Sequence, residues 1–403
     1  MSVFEPFQQQ SSPPSMNSPS HVVTAAAVPP SQPTMPMISI TPPSFEEEAN
    51  KTEEEGDQDQ QSSLLPPSNR KRSISVSIPD LNLLSHQVAG QAPLFKLPDG
   101  KVLKPLVSTE YQFYNSLESH PEFLDFTPKY YGVIDLKSLD HDYLEQSCKN
   151  SSSSSIFDYD HWRNKLVKMP KENQNLYIKI EDLTFLCKHP CILDLKMGTR
   201  QHGVNSPIEK ITKMEQKCRA TTSSALGFRV CGLKVFDQNT SEYQAFDKYY
   251  GRQLRANDVP MVICKFLDNG VRLRTELLTA ISKRLAQFVT LFEQQQCYKF
   301  YGGSLLFIYD GSSNNLQDAK LSIKMVDFAH ASPTIHNGIH DKSTPTSPSL
   351  STSTSSLSTS TSECSNTNNN NIDEGYLFGL KNLLKIVNSL IQLSNSSVNQ
   401  NTI

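Results

Sequence analysis

The chain has 403 residues, with 38 Lys and Arg against 41 Asp and Glu and a formal net charge of −3. It contains no run of 18 apolar residues, so the sequence predicts no membrane-spanning helix. Its eight cysteines form no regular framework and no signal peptide opens the chain, which predicts free thiols and an intracellular location, in cytoplasm and/or nucleus. The near-neutral total conceals an asymmetry: residues 1–80 carry ten acidic and four basic side chains, whereas residues 160–300 carry 23 Lys and Arg against 14 Asp and Glu. A basic core predicts an anionic partner such as polyphosphate, nucleic acid or acidic lipid. The base-reading signatures of nucleic-acid modules are missing, so no nucleic-acid partner is expected.

In chain order, residues 1–80 are rich in Pro, Ser and Gln and poor in aromatics. Such a stretch buries too little apolar surface to offset its conformational entropy and is expected to be a disordered tail. Residues 94–107 give two extended runs around a Pro98-Asp99-Gly100 turn, a hairpin signal. Residues 175–181 alternate as a half-buried strand does. Extended runs follow at 191–196, 228–236, 304–310 and 321–328. Ser206, Pro207 and Glu209 read as N-cap, N1 and N3 of a capping box opening a helix. That helix would set Ile208, Ile211, Met214 and Cys218 on one side and Lys210, Lys213 and Lys217 on another. A second helix is expected to carry Leu273, Leu277, Ile281, Leu285, Phe288 and Phe292 as a buried stripe. A third, near 376–393, carries Leu380, Leu383, Leu384, Val387, Leu390 and Ile391. Residues 338–371, biased to Ser, Thr and Asn, read as a disordered insertion ahead of it.

Several segments can carry chemistry. No Walker A run and no protein-kinase His-Arg-Asp loop occurs. Cys187, His189 and Cys191 lack a second ligand pair at zinc spacing, so they are not read as a zinc site. In the segment 190–203, Asp194 and Lys196 project from one face of a strand. Gly198 then breaks the strand, and Arg200 and His202 follow as anion-facing candidates. Asp327 ends an apolar strand and precedes Phe328, the layout that places a carboxylate on Mg²⁺ in kinases. Lys104, a strand lysine in the first half, suits a nucleotide phosphate. Gly90 lets backbone amides approach phosphates. The Lys210, Lys213 and Lys217 face suits a substrate with many phosphates, since such contacts are charge-assisted.

At these residues the sequence resembles the inositol polyphosphate kinase family. The hallmark Pro-x-x-x-Asp-x-Lys-x-Gly is matched by Pro190, Asp194, Lys196 and Gly198. A Ser-Leu-Leu element is matched by Ser304 to Leu306, and an Asp-Phe-Ala-His element by Asp327 to His330. The run 193–203 resembles the inositol hexakisphosphate kinase branch, and the segments 226–232, 248–252 and 375–380 point the same way. The resemblance covers roughly 84–335 and 373–393.

It implies an α+β, two-lobed kinase-like fold. The N-lobe, 81–187, would bind nucleotide. The C-lobe, 188–337 and 372–396, would hold the catalytic and inositol phosphate sites, with 338–371 looped out between its parts. It implies ATP between the lobes, with Glu181 and Asp182 at the hinge, Lys104 on ATP phosphates and Asp327 on Mg²⁺. Asp194, Lys196 and Ser304 would be catalytic. Lys196, Arg200, His202, Lys210, Lys213 and Lys217 would grip inositol hexakisphosphate, giving a diphosphoinositol pentakisphosphate. The alternatives are an inositol trisphosphate or multi-specific kinase, which phosphorylates a ring hydroxyl, and an inactive scaffold. The run 199–202 argues against the first, and the intact Asp194, Lys196 and Asp327 against the second.

Overall fold

The structure is a computed structural model that describes residues 82–90, 92–136, 164, 167, 174–334 and 371–400. All of them belong to the unit Glu55–Ile403. The expected tail at 1–80 and the expected insertion at 338–371, residue 371 apart, lie outside the described residues.

Two antiparallel five-stranded sheets form the frame. The first comprises β1 (Asn82–Leu83), β2 (Phe95–Lys96), β3 (Lys101–Pro105), β4 (Tyr130–Asp135) and β5 (Leu176–Glu181), in the order β1-β2-β3-β5-β4. The hairpin expected around Pro98 to Gly100 is present: Phe95 pairs with Leu103 and Lys96 with Val102. Gly100 turns it with φ +75°, a conformation that favours glycine. Helix α1 (Ser108–Ser116) follows β3 directly and buries Glu110, Phe113 and Tyr114.

The second sheet comprises β6 (Pro190–Met197), β7 (Phe228–Asp237), β8 (Glu242–Phe246), β10 (Ser304–Asp310) and β11 (Ser322–Val326), in the order β11-β10-β6-β7-β8. Strand β6 sits at its centre and is buried at every position but Lys196. That is why 190–197 reads as an apolar run interrupted by two charges. A two-stranded ribbon, β9 (Tyr298–Phe300) with β12 (Ala331–Pro333), flanks it. The helices are α2 (Ile208–Arg219), α3 (Thr222–Leu226), α4 (Lys248–Gln253), α5 (Val259–Leu267), α6 (Glu276–Gln294) and α7 (Glu374–Gln400). Leu277, Ile281, Leu285, Phe288 and Phe292 of α6, with Leu380, Leu383 and Val387 of α7, belong to one apolar cluster that also holds Val102, Ile178, Leu193 and Leu305. The two sheets therefore share a core.

Two details differ from the sequence reading. The capping box does not form: α2 starts at Ile208, and its N-cap is Pro207 with ψ 151° and no side-chain cap bond. An extended proline ends the preceding loop, so Ser206 falls one residue too early to reach the first free amides. Ile208 is consequently exposed rather than part of the inward stripe. Leu273 lies before α6 and is exposed; it bridges Asp268 instead of joining the helix.

The segment 84–90 is seated on the second sheet. An added Cβ at Gly232 of β7 would lie 2.3 Å from the Val88 carbonyl oxygen, so only glycine lets the two backbones approach. At the start of α6, the Arg274 side chain is 0% exposed. Its guanidinium donates to Glu276 and to the carbonyls of Ser313 and Asn315, tying α6 to the β10–β11 loop. Arg274→Met leaves the Ser313 and Asn315 carbonyls without their donor, while Glu276 keeps its ion pair with Arg272. The expected loss is about 1–3 kcal/mol of unfolding free energy, the cost of a buried acceptor left without its donor. Urea unfolding of both proteins measures it.

Candidate active site

The site begins with one lysine. Lys104 extends from β3 to a buried carboxylate of α1, Glu110, at 2.8 Å. It also reaches Asp327, just past β11, at 3.2 Å. Burial would lower the Lys104 pKa, but Glu110 and Asp327 outweigh it and raise the value. Glu110 is displaced upward by burial, which Asp327 reinforces and Lys104 opposes. The same carboxylate accepts the backbone N–H of Phe328 at 3.2 Å. Asp327 itself has φ +66°, an uncommon conformation for a non-glycine residue. The Glu110–Phe328 bond and the Lys104 ion pair are what hold it there. A lysine on the third strand paired with a helix glutamate is also the device that holds nucleotide phosphates in protein kinases. Glu110 escaped the sequence reading. A signal exists: it precedes Phe113 and Tyr114 by three and four residues and so shares their buried helix face.

Next comes the catalytic strand. Asp194 is buried on β6, with Leu306 of β10 opposite it. Burial raises its pKa to about 6, although the Ser304 hydroxyl and the Lys196 ammonium pull downward. Its Oδ1 has no hydrogen-bond partner. Ser304 opens β10 and lies opposite Lys196, the register that brings the hydroxyl to the carboxylate. Asp327 goes the other way: burial would raise it, but Lys104, Lys196 and His330 hold it at about 2. Asp194, Lys196, Ser304, Lys104 and Asp327 therefore form one electrostatic neighbourhood.

The turn after β6 closes it. Gly198, with φ +87°, breaks the strand. Arg200 donates to the carbonyls of His202 and Gly203 and stacks on Tyr301 at 4.1 Å. His202 is buried, its Nδ1 3.1 Å from the Gly203 carbonyl. These two candidates thus brace their own turn. His330 abuts it, since an added Cβ on Gly203 would sit 3.1 Å from the His330 Nδ1.

On α2, Lys217 is half-buried and its pKa is lowered, first by burial and then by repulsion from Arg252, Arg229, Lys213 and Lys196. Lys217 therefore lies in the field of four other cations, making a group of five. Lys210 stands at the opening of α2 and is not among the groups repelling Lys217. Arg229 of β7 and Arg252 of α4 were not singled out from the sequence. Each lies in a segment used only for the resemblance, and no local spacing links it to Lys217.

A separate apolar group lies on the same two strands, β6 and β10. Val88, Ile192 and Ile308 form a small separate cluster with Leu183, Cys187 and Leu306, beside the Glu181–Asp182 crossing between the sheets. One oxygen of the Asp182 carboxylate serves the crossing itself, and the other, Oδ2, is buried without a hydrogen-bond partner. Oδ1 accepts from the backbone N–H and hydroxyl of Thr184, and Oδ2 lies 3.6 Å from Lys96. Glu181 accepts from the Lys129 amide.

A family model described as inositol polyphosphate kinase matches residues 177–388. Inositol hexakisphosphate kinase 3 of Mus musculus is 27% identical over 416 residues, covering 80% of this chain and 98% of that protein. Inositol hexakisphosphate kinase 1 of Rattus norvegicus is 28% identical over 433 residues, covering 76% and 92%. A solved inositol phosphate multikinase from S. cerevisiae, in complex with ADP and Mn²⁺, matches in shape over 72% of this chain and 99% of that one, at 20% identity and a TM-score of 0.49. The family match runs from β5 into α7 and takes in Asp194, Lys196, Ser304 and Asp327 together, over more than half of the chain; the protein belongs to the inositol polyphosphate kinase family.

Proposed function

We propose that this protein transfers the γ-phosphoryl group of ATP to inositol hexakisphosphate, forming a diphosphoinositol pentakisphosphate, and that it does so inside the cell. The observation that carries the reading is the five-cation cluster around Lys217, next to the Lys104–Asp327 ion pair. Several cations at close quarters suit an acceptor dense in phosphates. The likeness to inositol hexakisphosphate kinases, which spans most of this chain, favours the hexakisphosphate over acceptors with fewer phosphates.

The apolar cluster around Val88, Leu183 and Ile308 would take the nucleotide base. Lys104 would turn from Asp327 toward the ATP phosphates. Lys196, with Asp194 on one side and the cation cluster on the other, would neutralise the phosphoryl group in flight. A phosphate oxygen of the acceptor forms the new P–O bond while the bond between the γ-phosphorus and the leaving ADP oxygen breaks. That oxygen is already ionised near neutral pH, so positioning replaces proton abstraction.

The Asp327 carboxylate and the unpartnered Asp194 Oδ1 suit a divalent cation, which we take to be Mg²⁺. When bound it would neutralise charge on the β- and γ-phosphates.

Incubating the protein with Mg-ATP and a panel of inositol phosphates should yield a diphosphoinositol product from the hexakisphosphate. Consumption of inositol trisphosphate alone would overturn the acceptor assignment. Two variants separate the halves of the site. Asp327→Asn is expected to abolish turnover while inositol hexakisphosphate still binds in calorimetry. Lys217→Ala, which removes one charge-assisted contact of roughly 1.5–3 kcal/mol, is expected to lower kcat/KM by about tenfold to a hundredfold, mostly through KM.

Asp194 adds a pH signature. Its pKa rises from an ordinary 3.8 to about 6 on folding. Between those values the folded protein binds more protons than the unfolded chain, so the burial cost grows as pH rises through the window and is full above it. Asp194→Asn removes that cost. Its Tm is expected to exceed the wild type's at pH 7, by the equivalent of about 3 kcal/mol, and to match it below pH 4, although the variant is inactive throughout. Wild-type turnover should fall below pH 6, as Asp194 takes up its proton.

A further inference from the structure

Three side chains of metal-ligating type converge outside the phosphoryl-transfer site. His120 and Glu122 lie on the turn after α1, which includes the short 3-10 segment Pro121–Phe123. Cys297 lies on the turn between α6 and β9. One ligand atom from each comes within 4.8 Å of the other two, and among the described residues no other trio of His, Cys, Asp and Glu meets this way. None of the three takes part in the chemistry argued above.

We infer that His120, Glu122 and Cys297 form a binding site for a zinc-type transition-metal ion that clips the turn after α1 to the turn before β9. The separations fit such an ion. His120 Nδ1 and Glu122 Oε1 stand 3.3 Å apart, and two ligands on a tetrahedral ion with arms of about 2.1 Å are separated by about 3.4 Å. The Cys297 thiol completes the trio by moving inward about 1 Å, given a Zn–S length of about 2.3 Å. The chemistry fits too. One nitrogen, one carboxylate oxygen and one sulfur favour zinc over the hard cations Mg²⁺ and Ca²⁺. A thiolate and a carboxylate together balance a doubly charged ion.

The supports are in place before any ion arrives. The His120 ring meets Tyr298 edge-on at 5.5 Å and Phe123 at 6.4 Å, which fixes its plane. The Cys297 amide donates to Gln295 Oε1 at 3.2 Å, and its carbonyl accepts from the Thr334 amide at 2.8 Å. The Tyr298 hydroxyl donates to Ser116 at 2.9 Å, so the two turns are already joined next to the trio. His120 and Cys297 are half-buried and Glu122 is exposed. An ion can therefore enter from solvent, and water takes the fourth position. A surface His–Glu pair alone accounts for two of these groups but leaves the thiol unexplained. Because the thiol must lose its proton on binding, affinity rises with pH.

The test uses the full chain, stripped with a chelator and then given Co²⁺ or Zn²⁺ alone. The expected result is one Co²⁺ per chain with a thiolate-to-cobalt charge-transfer band. That band should vanish in Cys297→Ser and weaken or shift in His120→Gln. Zn²⁺ should raise the wild-type Tm by several degrees, since it binds the folded form selectively; it should leave Cys297→Ser unmoved and shift His120→Gln by less than the wild type. Absence of the band in the wild type overturns the site. So does a band that survives unchanged in Cys297→Ser, which would locate the metal on other cysteines. If Cys297→Ser proves unfolded, the His120→Gln spectrum and Tm decide alone: unchanged values overturn the site.

Discussion

A single ammonium shared by two carboxylates sets the geometry of this molecule. Lys104 stands on the first sheet, Glu110 on the helix that follows it and Asp327 at the end of a strand of the second sheet. A buried glutamate is tolerable only when its charge is paired. Glu110 therefore fixes where α1 lies, and its bond to the Phe328 amide fixes the turn in which Asp327 adopts a left-handed backbone. The lobes are thus registered at the place where nucleotide phosphates are proposed to bind. The bond that registers them is electrostatic and so open to competition from those phosphates.

The second sheet answers with the opposite sign. Burial lowers the Lys217 pKa, and repulsion from Arg252, Arg229, Lys213 and Lys196 adds to it. Repulsion of that kind costs stability in the empty protein, a common trade at functional sites. The cost is confined because α2 hangs mainly in solvent, with Cys218 as its one buried side chain. The large apolar core shared by both sheets carries the fold, which leaves the cation cluster free to be unfavourable.

Much of this was legible in the sequence. Alternation at 175–181, the Pro-Asp-Gly turn and the apolar run of β6 gave their strands directly, because each signal is local. Asp194, Lys196 and Asp327 were also legible, each being a charge placed where an apolar strand otherwise demands none. What escaped depends on distant partners. Glu110 has its meaning only through Lys104 and Phe328, and Phe328 lies 218 residues away. Arg229 and Arg252 acquire theirs only when β7 and α4 fold against α2. The capping box failed for a local reason, since Pro207 took an extended ψ and displaced the helix start. Arg200 and His202 were legible as anion-facing candidates near the site. Their engagement with their own turn was not, because backbone carbonyls leave no trace in side-chain patterning.

The two aspartates show why such a site needs both sheets. They are chemically identical, yet burial beside few donors lifts Asp194 to about 6 while Lys104, Lys196 and His330 hold Asp327 at about 2. Environments that push like groups apart are how one fold supplies different protonation states at one pH. Asp327 is therefore a fixed negative charge at any physiological pH, whereas Asp194 ionises only near neutrality and only against the resistance of its surroundings. Positive charge brought between them must lower the Asp194 value, because its Oδ1 has no donor to offset the burial. Ionisation of Asp194 and arrival of a cation are in this way coupled through the unpartnered oxygen, and the coupling exists because β6 buries that oxygen where no backbone amide can reach it.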